Sequence, residues 1–185
     1  TVAALLAGSG HPARRARTLP ELAGVRIAYA EPSRLGVDRF LALLAARARG
    51  AGPWLLVSAG SALTVDLLDA DGRHRGGVIA PSPEHMRAAL AARFPALAYA
   101  GGEARAFATD TADALAGGSL GAAAGLVERS HREAGRLLGQ APTVLLGGGG
   151  GERLRELLEL DVVPAPALVL EGLAVYAAQA GSEDE

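Results

Sequence analysis

Three short apolar stretches follow one another between residues 53 and 81, and they constrain the fold more than any other part of the sequence. Residues 54–57, 62–68 and 75–79 are rich in aliphatic and β-branched side chains, which is typical of β-strands. Asp71 and Gly72 separate the last two stretches and indicate a hairpin turn, because Gly takes positive φ without steric cost. The sequence therefore predicts three consecutive strands.

The connection between the first two of these strands is built from small residues. Its sequence is Ser58, Ala59, Gly60 and Ser61. Small side chains let a ligand approach the backbone closely and leave N–H groups and hydroxyls free to hold an anion. We therefore predict a phosphate-binding turn at this point.

The flanking segments carry helix and strand patterns that extend the sheet. A strand is predicted at residues 25–30, and helices are predicted at 37–49, 82–93, 111–138, 152–160 and 167–179, with further strands at 142–146 and 162–163. The glycines at 117, 118 and 121 predict close backbone packing or a break in the longest helix. From residue 53 onward this order fits an α/β fold of the ribonuclease-H-like type better than the strict alternation of a Rossmann sheet.

Composition excludes several function classes. All 18 basic residues are Arg, so a phosphate-binding lysine and Schiff-base chemistry are excluded, and the absence of Cys excludes thiolate zinc sites and cysteine nucleophiles. A net charge of -2 argues against direct nucleic-acid binding. No apolar run reaches the roughly 20 residues of a spanning helix, and the first seventeen residues lack the order of a signal peptide. We therefore expect a soluble, cytoplasmic protein without membrane contact.

An Asp-Arg pair at a predicted helix start is the first candidate site. Gly36 and Val37 precede Asp38 and Arg39, an order that sets a carboxylate base beside a guanidinium able to bind a substrate carboxylate. The alternative is that Asp38 is an ordinary acidic residue in the first turn of a helix and Arg39 a solvated neighbour. The residues alone leave both interpretations open.

Two glycine patterns are the next candidates. Five glycines at 147–151 lie between a predicted strand and a predicted helix, where backbone N–H groups favour a nucleotide phosphate, although a flexible loop is equally consistent with the spacing. The Gly-x-Ser-x-Gly pattern around Ser119 falls in a predicted helix rather than after a strand, so we interpret it as a chance match to the hydrolase motif. His11, His74 and His85 lack metal-ligand spacing and are expected at the surface or in turns.

Taken together, these segments resemble the type III pantothenate kinases of the actin/sugar-kinase/Hsp70-like superfamily. Five motifs in register carry the resemblance: Tyr29 with the Gly-x-Asp-Arg at 36–39, the segment at 58–66, the Gly-Gly-x-Ile-x-Pro at 76–81, Thr109 to Thr111, and the glycine pair Gly147 and Gly148. The resemblance implies a ribonuclease-H-like fold, a mixed sheet flanked by helices, with the first domain incomplete. Residues 1–52 would be the remnant of that first domain, 53–180 the second domain and 181–185 a frayed tail.

The resemblance also implies a reaction and a role for each motif. ATP-dependent phosphorylation of pantothenate, the first step of coenzyme A biosynthesis, would use Asp38 as the base that takes the proton from the pantothenate hydroxyl. The pantothenate site would be lined by Tyr29, Gly36, Val37, Asp38 and Arg39, and Thr111 would reach it from the partner subunit of a homodimer. The ATP phosphates would face Gly60, Ser61, Gly147 and Gly148, with Mg²⁺ and a monovalent cation, K⁺ or NH₄⁺, as cofactors.

Two departures from the family pattern affect the cation sites. Ser58 stands where the family has the Asp that holds the monovalent cation, so that site is expected to be weakened or lost. The family's opening Asp-x-Gly-Asn-Thr segment with its lysine has no counterpart in the sequence. Two explanations are open: the chain is a piece of a kinase-like gene product, or it is a catalytically degenerate paralogue that binds pantothenate or acts as a regulatory, transcription-accessory protein.

Overall fold

The computed structural model describes residues 15–98 and 100–180. The predicted frayed tail at 181–185 and the first part of the predicted 1–52 segment lie outside these residues. Within the described part, none of the helices is both long and apolar enough to cross a membrane.

The elements follow the predicted order closely. In chain order they are β1 (Glu21–Leu22), β2 (Val25–Arg26), α1 (Val37–Ala48), β3 (Trp54–Ala59), β4 (Ala62–Leu68), β5 (His74–Pro81), α2 (Pro83–Arg93), α3 (Thr111–Leu138), β6 (Thr143–Gly147), α4 (Gly151–Arg155), β7 (Val162–Pro164) and α5 (Leu168–Ala180). The three consecutive strands are confirmed. The strand predicted at 25–30 begins at Val25 but is only two residues long, because β2 ends at Arg26 and forms a short hairpin with β1 in which Leu22 pairs with Val25.

One helix is shorter than predicted. The sequence pattern predicts a helix at 152–160, but α4 ends at Arg155. The amide of Leu157 donates to the Leu154 carbonyl at 3.1 Å and the amide of Leu158 donates to the Arg155 carbonyl at 3.3 Å. These bonds span three residues instead of four, so the chain tightens after Arg155 and leaves the α-helix.

β3 to β7 form a mixed five-stranded sheet in the order β5-β4-β3-β6-β7. β3 pairs antiparallel with β4, and β4 pairs antiparallel with β5, whereas β6 runs parallel to both β3 and β7. The predicted α/β class, a mixed sheet flanked by helices, is confirmed in this architecture.

Helices pack against both faces of the sheet, and a separate apolar core lies between the sheet and the helices on each face. Alternate strand residues such as Leu56, Leu68 and Leu145 pack with α1 and with the start of α5. Residues between them in sequence, including Val57 and Val65, pack on the other face against α3 and α4. The first core contains residues from both sides of position 53, and the domain boundary predicted there stays a prediction.

The contact between α1 and α5 fixes the helix that carries the candidate site. Gly172 of α5 faces the backbone of Leu41, and a Cβ at Gly172 would lie 3.0 Å from the Leu41 Cα. Glycine therefore allows the two helices to approach backbone to backbone. The long helix α3 is continuous through Gly117, where close packing against the Arg105 backbone, rather than a break, explains the glycine.

Candidate active site

The first turn of α1 places two adjacent charged residues in different environments. Leu35 and Phe40 are almost fully buried and anchor the turn to the core. Asp38 is exposed, whereas the Arg39 side chain is only 6% exposed. Successive residues of an α-helix point about 100° apart, so one side chain can face solvent while its neighbour faces the core. Asp38 is therefore accessible to a ligand, and Arg39 reaches into the protein.

Four side chains, Arg39, Asp66, His74 and Tyr29, form a connected group that we call the Arg39 network. Arg39 Nε donates to Asp66 Oδ2 at 2.7 Å, and Arg39 Nη2 donates to Asp66 Oδ1 at 2.5 Å. His74 Nε2 lies 2.9 Å from the same Oδ1, and Arg39 Nη1 donates to the Tyr29 hydroxyl at 3.3 Å. A bidentate guanidinium–carboxylate pair fixes the plane of the guanidinium as well as its distance. The orientation of Arg39 is thus set by side chains of the sheet.

Strand alternation brings Asp66 beneath α1. Thr64, Asp66 and Leu68 are alternate residues of β4 and therefore lie on one face of the sheet. Leu68 belongs to the core that packs against α1, so Asp66 faces the same helix. The carboxylate consequently meets the arginine of the first turn of α1.

Charge interactions within the network oppose the cost of burial. Burial raises the pKa of Asp66, but hydrogen bonds from His74 and Arg39 and the positive charge of Arg39 outweigh it and hold that pKa below its ordinary value. The hydrogen bond to Asp66 likewise raises the pKa of Arg39 above its ordinary value, against the effect of burial. Asp66 and Arg39 therefore form an ionised pair at neutral pH.

β5 approaches the network through a glycine. Gly77 is the register partner of Asp66. A Cβ at Gly77 would lie 2.7 Å from Arg39 Nη2 and nearer still to Asp66. The glycine in the Gly-Gly-x-Ile-x-Pro motif thus leaves the space that the ion pair fills.

A cleft opens beside the first turn of α1, where the carboxyl ends of the parallel strands β3 and β6 meet. Five predicted site residues line it: Asp38, Arg39, Ser58, Gly147 and Gly148. Thr64 and Asp66 add further polar groups, and Ala165, Pro166, Leu168 and Val169 complete the wall. Crevices outside the carboxyl ends of parallel strands are common ligand sites in α/β proteins. The fold therefore brings together residues that are more than a hundred positions apart in sequence.

The glycine turn at 147–151 joins the end of β6 to the start of α4. Gly148 has φ +89°, and a Cβ there would lie 2.8 Å from the Ala59 amide nitrogen. The amide of Gly150 donates to the Ala59 carbonyl at 2.8 Å. A Cβ at Gly149 would have no neighbour within 4 Å. The turn therefore packs backbone to backbone against the end of β3 and leaves Gly149 open.

Gly60 and Ser61 occupy the β3–β4 turn and are exposed. The amide of Gly60 donates to the Ala62 carbonyl at 3.0 Å and closes this turn. Gly60 lines a second, smaller cavity together with Gly150 and Arg153 rather than the cleft beside Asp38. The two predicted phosphate-contacting segments are thus adjacent through Gly60 and Gly150.

The remaining predicted site residues have more peripheral positions. Gly36 is the N-cap residue of α1, and Val37 is 39% exposed. Tyr29 contacts Arg39 without lining the cleft. Thr111 is exposed at the start of α3 and does not line the cleft of its own chain.

Sequence reasoning did not predict two members of the network, Asp66 and His74, as site residues. His74 is expected from the sequence at the surface or in a turn, and this is wrong, since it is 3% exposed and hydrogen-bonded to Asp66. Its place beside Tyr29, with ring centroids 6.0 Å apart, depends on contacts that are distant in sequence. Ser119 lies within α3 and donates to the Leu115 carbonyl at 2.6 Å, which agrees with a chance match to the hydrolase motif.

The fold and the cleft define an α/β protein with a mixed sheet and a polar cleft at the carboxyl ends of its parallel strands. The sequence model of the family described as type III pantothenate kinase matches residues 7–133. Proteins named type III pantothenate kinase from Stenotrophomonas maltophilia (strain K279a) and Xanthomonas axonopodis pv. citri (strain 306) are 56% and 53% identical over 161 and 169 residues, which is 87% and 91% of this chain. The chain belongs to the type III pantothenate kinase family.

The chain does not span the whole length of these relatives. The match covers 65% of the Stenotrophomonas protein and 69% of the Xanthomonas protein. A crystal structure from Campylobacter jejuni, described as a conserved Baf family transcriptional activator, is similar with a TM-score of 0.59 and 23% identity over 78% of this chain and 65% of that chain. At this identity the similarity shows a shared fold alone.

Proposed function

We propose that this chain carries the pantothenate-binding cleft of an ATP-dependent kinase that phosphorylates pantothenate to 4'-phosphopantothenate. The observation that supports this most is the cleft itself, in which Asp38, Arg39, Ser58 and the glycine pair at 147–148 meet. In phosphoryl transfer the protein mainly positions the reactants and stabilises charge. A carboxylate, a guanidinium and a glycine turn in one cleft are suited to those tasks.

Asp38 is the proposed general base. Its carboxylate is exposed on the cleft side of α1, so it can accept the proton of the pantothenate hydroxyl as that oxygen attacks the γ-phosphoryl group. Its neighbour Arg39 is fixed by Asp66, so the base stands beside a cation of defined orientation. The proton moves from the hydroxyl to an Asp38 carboxylate oxygen.

Arg39 is the proposed binding group for the pantothenate carboxylate. A guanidinium has five N–H groups, and three of them are engaged with Asp66 and Tyr29. We assign the other two, on Nη1 and Nη2, to the pantothenate carboxylate, because Arg39 lines the cleft. Together with the neighbouring Gly36, Val37 and Tyr29, Arg39 would define the substrate site.

ATP would bind on the glycine side. Backbone N–H groups and open space at Gly149 allow phosphate oxygens to approach closely, and Gly60 with Ser61 presents a second small-residue turn next to Gly150. In the described part of the chain, no group of three or more His, Cys, Asp or Glu side chains is arranged to hold a metal ion. Ser58 offers only a neutral hydroxyl at the expected monovalent-cation position, where the family has a carboxylate.

We further propose a ribonuclease-H-like fold, a homodimer and a cytoplasmic location. The strand order β5-β4-β3-β6-β7, with only β4 antiparallel to the others, supports the fold type. An exposed Thr111 at the start of α3 supports a role in the cleft of a partner subunit. The alternative of a non-catalytic regulatory paralogue gains no support from the relatives, which carry the kinase name.

Replacement of Asp38 tests the proposed chemistry. Asp38→Asn keeps the shape of the side chain but removes the base, so turnover should fall by about 100-fold to 10,000-fold while pantothenate binding stays nearly unchanged. The measurement is pantothenate-dependent ADP release with ATP and Mg²⁺, with and without K⁺. Asp161→Asn, an exposed residue outside the cleft, is the matched control. Unchanged turnover in Asp38→Asn would remove Asp38 as the base.

A further inference from the structure

His74 is the one member of the Arg39 network whose role the proposed chemistry leaves open. Its side chain is fully buried, and both ring nitrogens have partners. It does not line the cleft, so it cannot touch a bound substrate. Any influence on the reaction must therefore pass through Asp66, Tyr29 or the backbone.

The hydrogen bonds of His74 define its tautomer. The amide of Ala28 donates to His74 Nδ1 at 3.4 Å, and an amide N–H can only donate. Nδ1 is therefore the acceptor nitrogen, and Nε2 carries the hydrogen in the neutral ring. His74 Nε2–H consequently donates to Asp66 Oδ1 across 2.9 Å.

A shift in strand register directs His74 toward Asp66. Leu67 pairs with Gly76, but the next residue, Leu68, pairs with His74, so Arg75 is left out of the ladder. The His74 side chain therefore lies on the same face of the sheet as Leu68 and Asp66, whereas Arg75 is exposed. Irregularities of this kind reorient side chains and are frequent beside active sites.

The network closes into a ring of contacts. His74 holds Asp66 Oδ1, Asp66 holds two nitrogens of Arg39, and Arg39 Nη1 donates to Tyr29. Tyr29 in turn stacks on His74 with an interplanar angle of 4°. The two groups that bind the Arg39 guanidinium, the Asp66 carboxylate and the Tyr29 phenol, therefore both contact the His74 imidazole.

We propose that His74 is a positioning residue that orients Asp66 and Tyr29 and thereby directs the two remaining N–H groups of Arg39 toward the substrate carboxylate. This inference rests on the proposed function, in which Arg39 binds pantothenate. His74 acts by donating from Nε2 to Asp66, away from the cleft in which the reacting groups would meet. Its contribution should appear in the recognition of the carboxylate rather than in the phosphoryl-transfer step.

Binding of two matched ligands tests the proposal. Pantothenol has a hydroxymethyl group in place of the pantothenate carboxylate and otherwise the same skeleton. His74→Phe keeps a buried ring against Tyr29 but removes the Nε2–H donor. In calorimetric titrations of the purified chain, this change should weaken pantothenate binding about tenfold and leave pantothenol binding unchanged. His74→Gln, which retains an N–H donor, should recover most of the lost affinity.

Different outcomes test the positioning role of His74 and the proposed pantothenate binding. An equal loss for both ligands, or no loss for either, in a folded His74→Phe chain would overturn the positioning role. Absence of pantothenate binding by the unsubstituted chain would overturn the proposed function, and the inference with it.

If His74→Phe does not fold, the tautomer of His74 can be measured by NMR in the unsubstituted chain. The ring ¹⁵N shifts of His74, assigned by their loss in His74→Gln, report which nitrogen carries the hydrogen. The proposal requires hydrogen on Nε2. A ring protonated on Nδ1 would contradict it, since Nε2 could not then donate to Asp66.

Discussion

In one part of the cleft the functional groups are side chains held by other side chains, whereas in another part they are backbone held by backbone. Arg39 is oriented by Asp66 and, through Asp66, by His74. The glycine turn at 147–151 has no side chains and is positioned by its fit against Ala59. The first part depends on charge and the second on steric space, so they should fail in different ways.

The difference follows from what each part would bind. A carboxylate ligand needs a cation of fixed orientation, which a buried ion pair supplies at the cost of desolvating two charges. Phosphate groups can be held by several backbone N–H groups, which need close approach rather than a formal charge.

The largest expected effect comes from breaking the buried ion pair. Asp66→Asn leaves the Arg39 charge buried without its counter-ion and should lower the free energy of unfolding by about 3–5 kcal/mol. Urea unfolding followed by the fluorescence of Trp54, the single tryptophan of the sequence, measures this change.

An exposed ion pair provides the control for that experiment. Glu21 accepts from Arg26 at 3.1 Å, and both side chains are more than half exposed. Glu21→Gln should therefore change the free energy of unfolding by less than about 1 kcal/mol. Equal effects of the two substitutions would show that burial does not distinguish the pairs, and the contrast between the two parts of the cleft would lose its basis.

A smaller effect is expected from adding one methyl group to the glycine turn. Gly148→Ala would force a side chain onto φ +89° and into the Ala59 backbone, so the free energy of unfolding should fall by about 1–3 kcal/mol. Gly149→Ala is the matched control, because a Cβ there meets nothing within 4 Å and should cost less than about 0.5 kcal/mol. The same denaturation experiment compares them, and a cost at Gly149 equal to that at Gly148 would contradict the steric account.

Local patterns in the sequence predicted most of the elements that carry the site. The strand predicted at 62–68 is β4, and the alternation of side chains along a strand places Thr64, Asp66 and Leu68 on one face. The start of α2 was also predictable, since Ser82 accepts from the His85 amide at 3.2 Å as an N-cap followed by Pro.

The Arg39 network could not be predicted from local pattern, because its contacts are distant in sequence. Arg39 and Asp66 are 27 positions apart, and only the packing of α1 on the sheet brings them together. The burial of His74 depends on a shift in strand register that no residue of the preceding turn predicts. Strand alternation without that shift would place Arg75 inward and His74 outward. The sequence expectation for His74 rested only on its lack of metal-ligand spacing, which carries no information about this register.

The smallest expected effect is a pH dependence that belongs to the ion pair and not to the glycine turn. The network holds the pKa of Asp66 below its ordinary value, whereas an unfolded Asp titrates near a pH of about 3.9. The stabilisation is therefore fully present above that pH and is lost as the pH falls below it, toward the lower pKa of the folded state. The difference in unfolding free energy between the unsubstituted chain and Asp66→Asn should be constant from about pH 5 to 8 and should shrink below about pH 4.

The control for this pH dependence is the glycine turn. The difference in unfolding free energy between Gly148→Ala and the unsubstituted chain should not change over the same range, because no titrating group takes part in it. A constant Asp66→Asn difference down to the acid transition would show that the pKa of Asp66 is the same in the folded and the unfolded chain, and a difference that grows in acid would show that this pKa is raised rather than lowered.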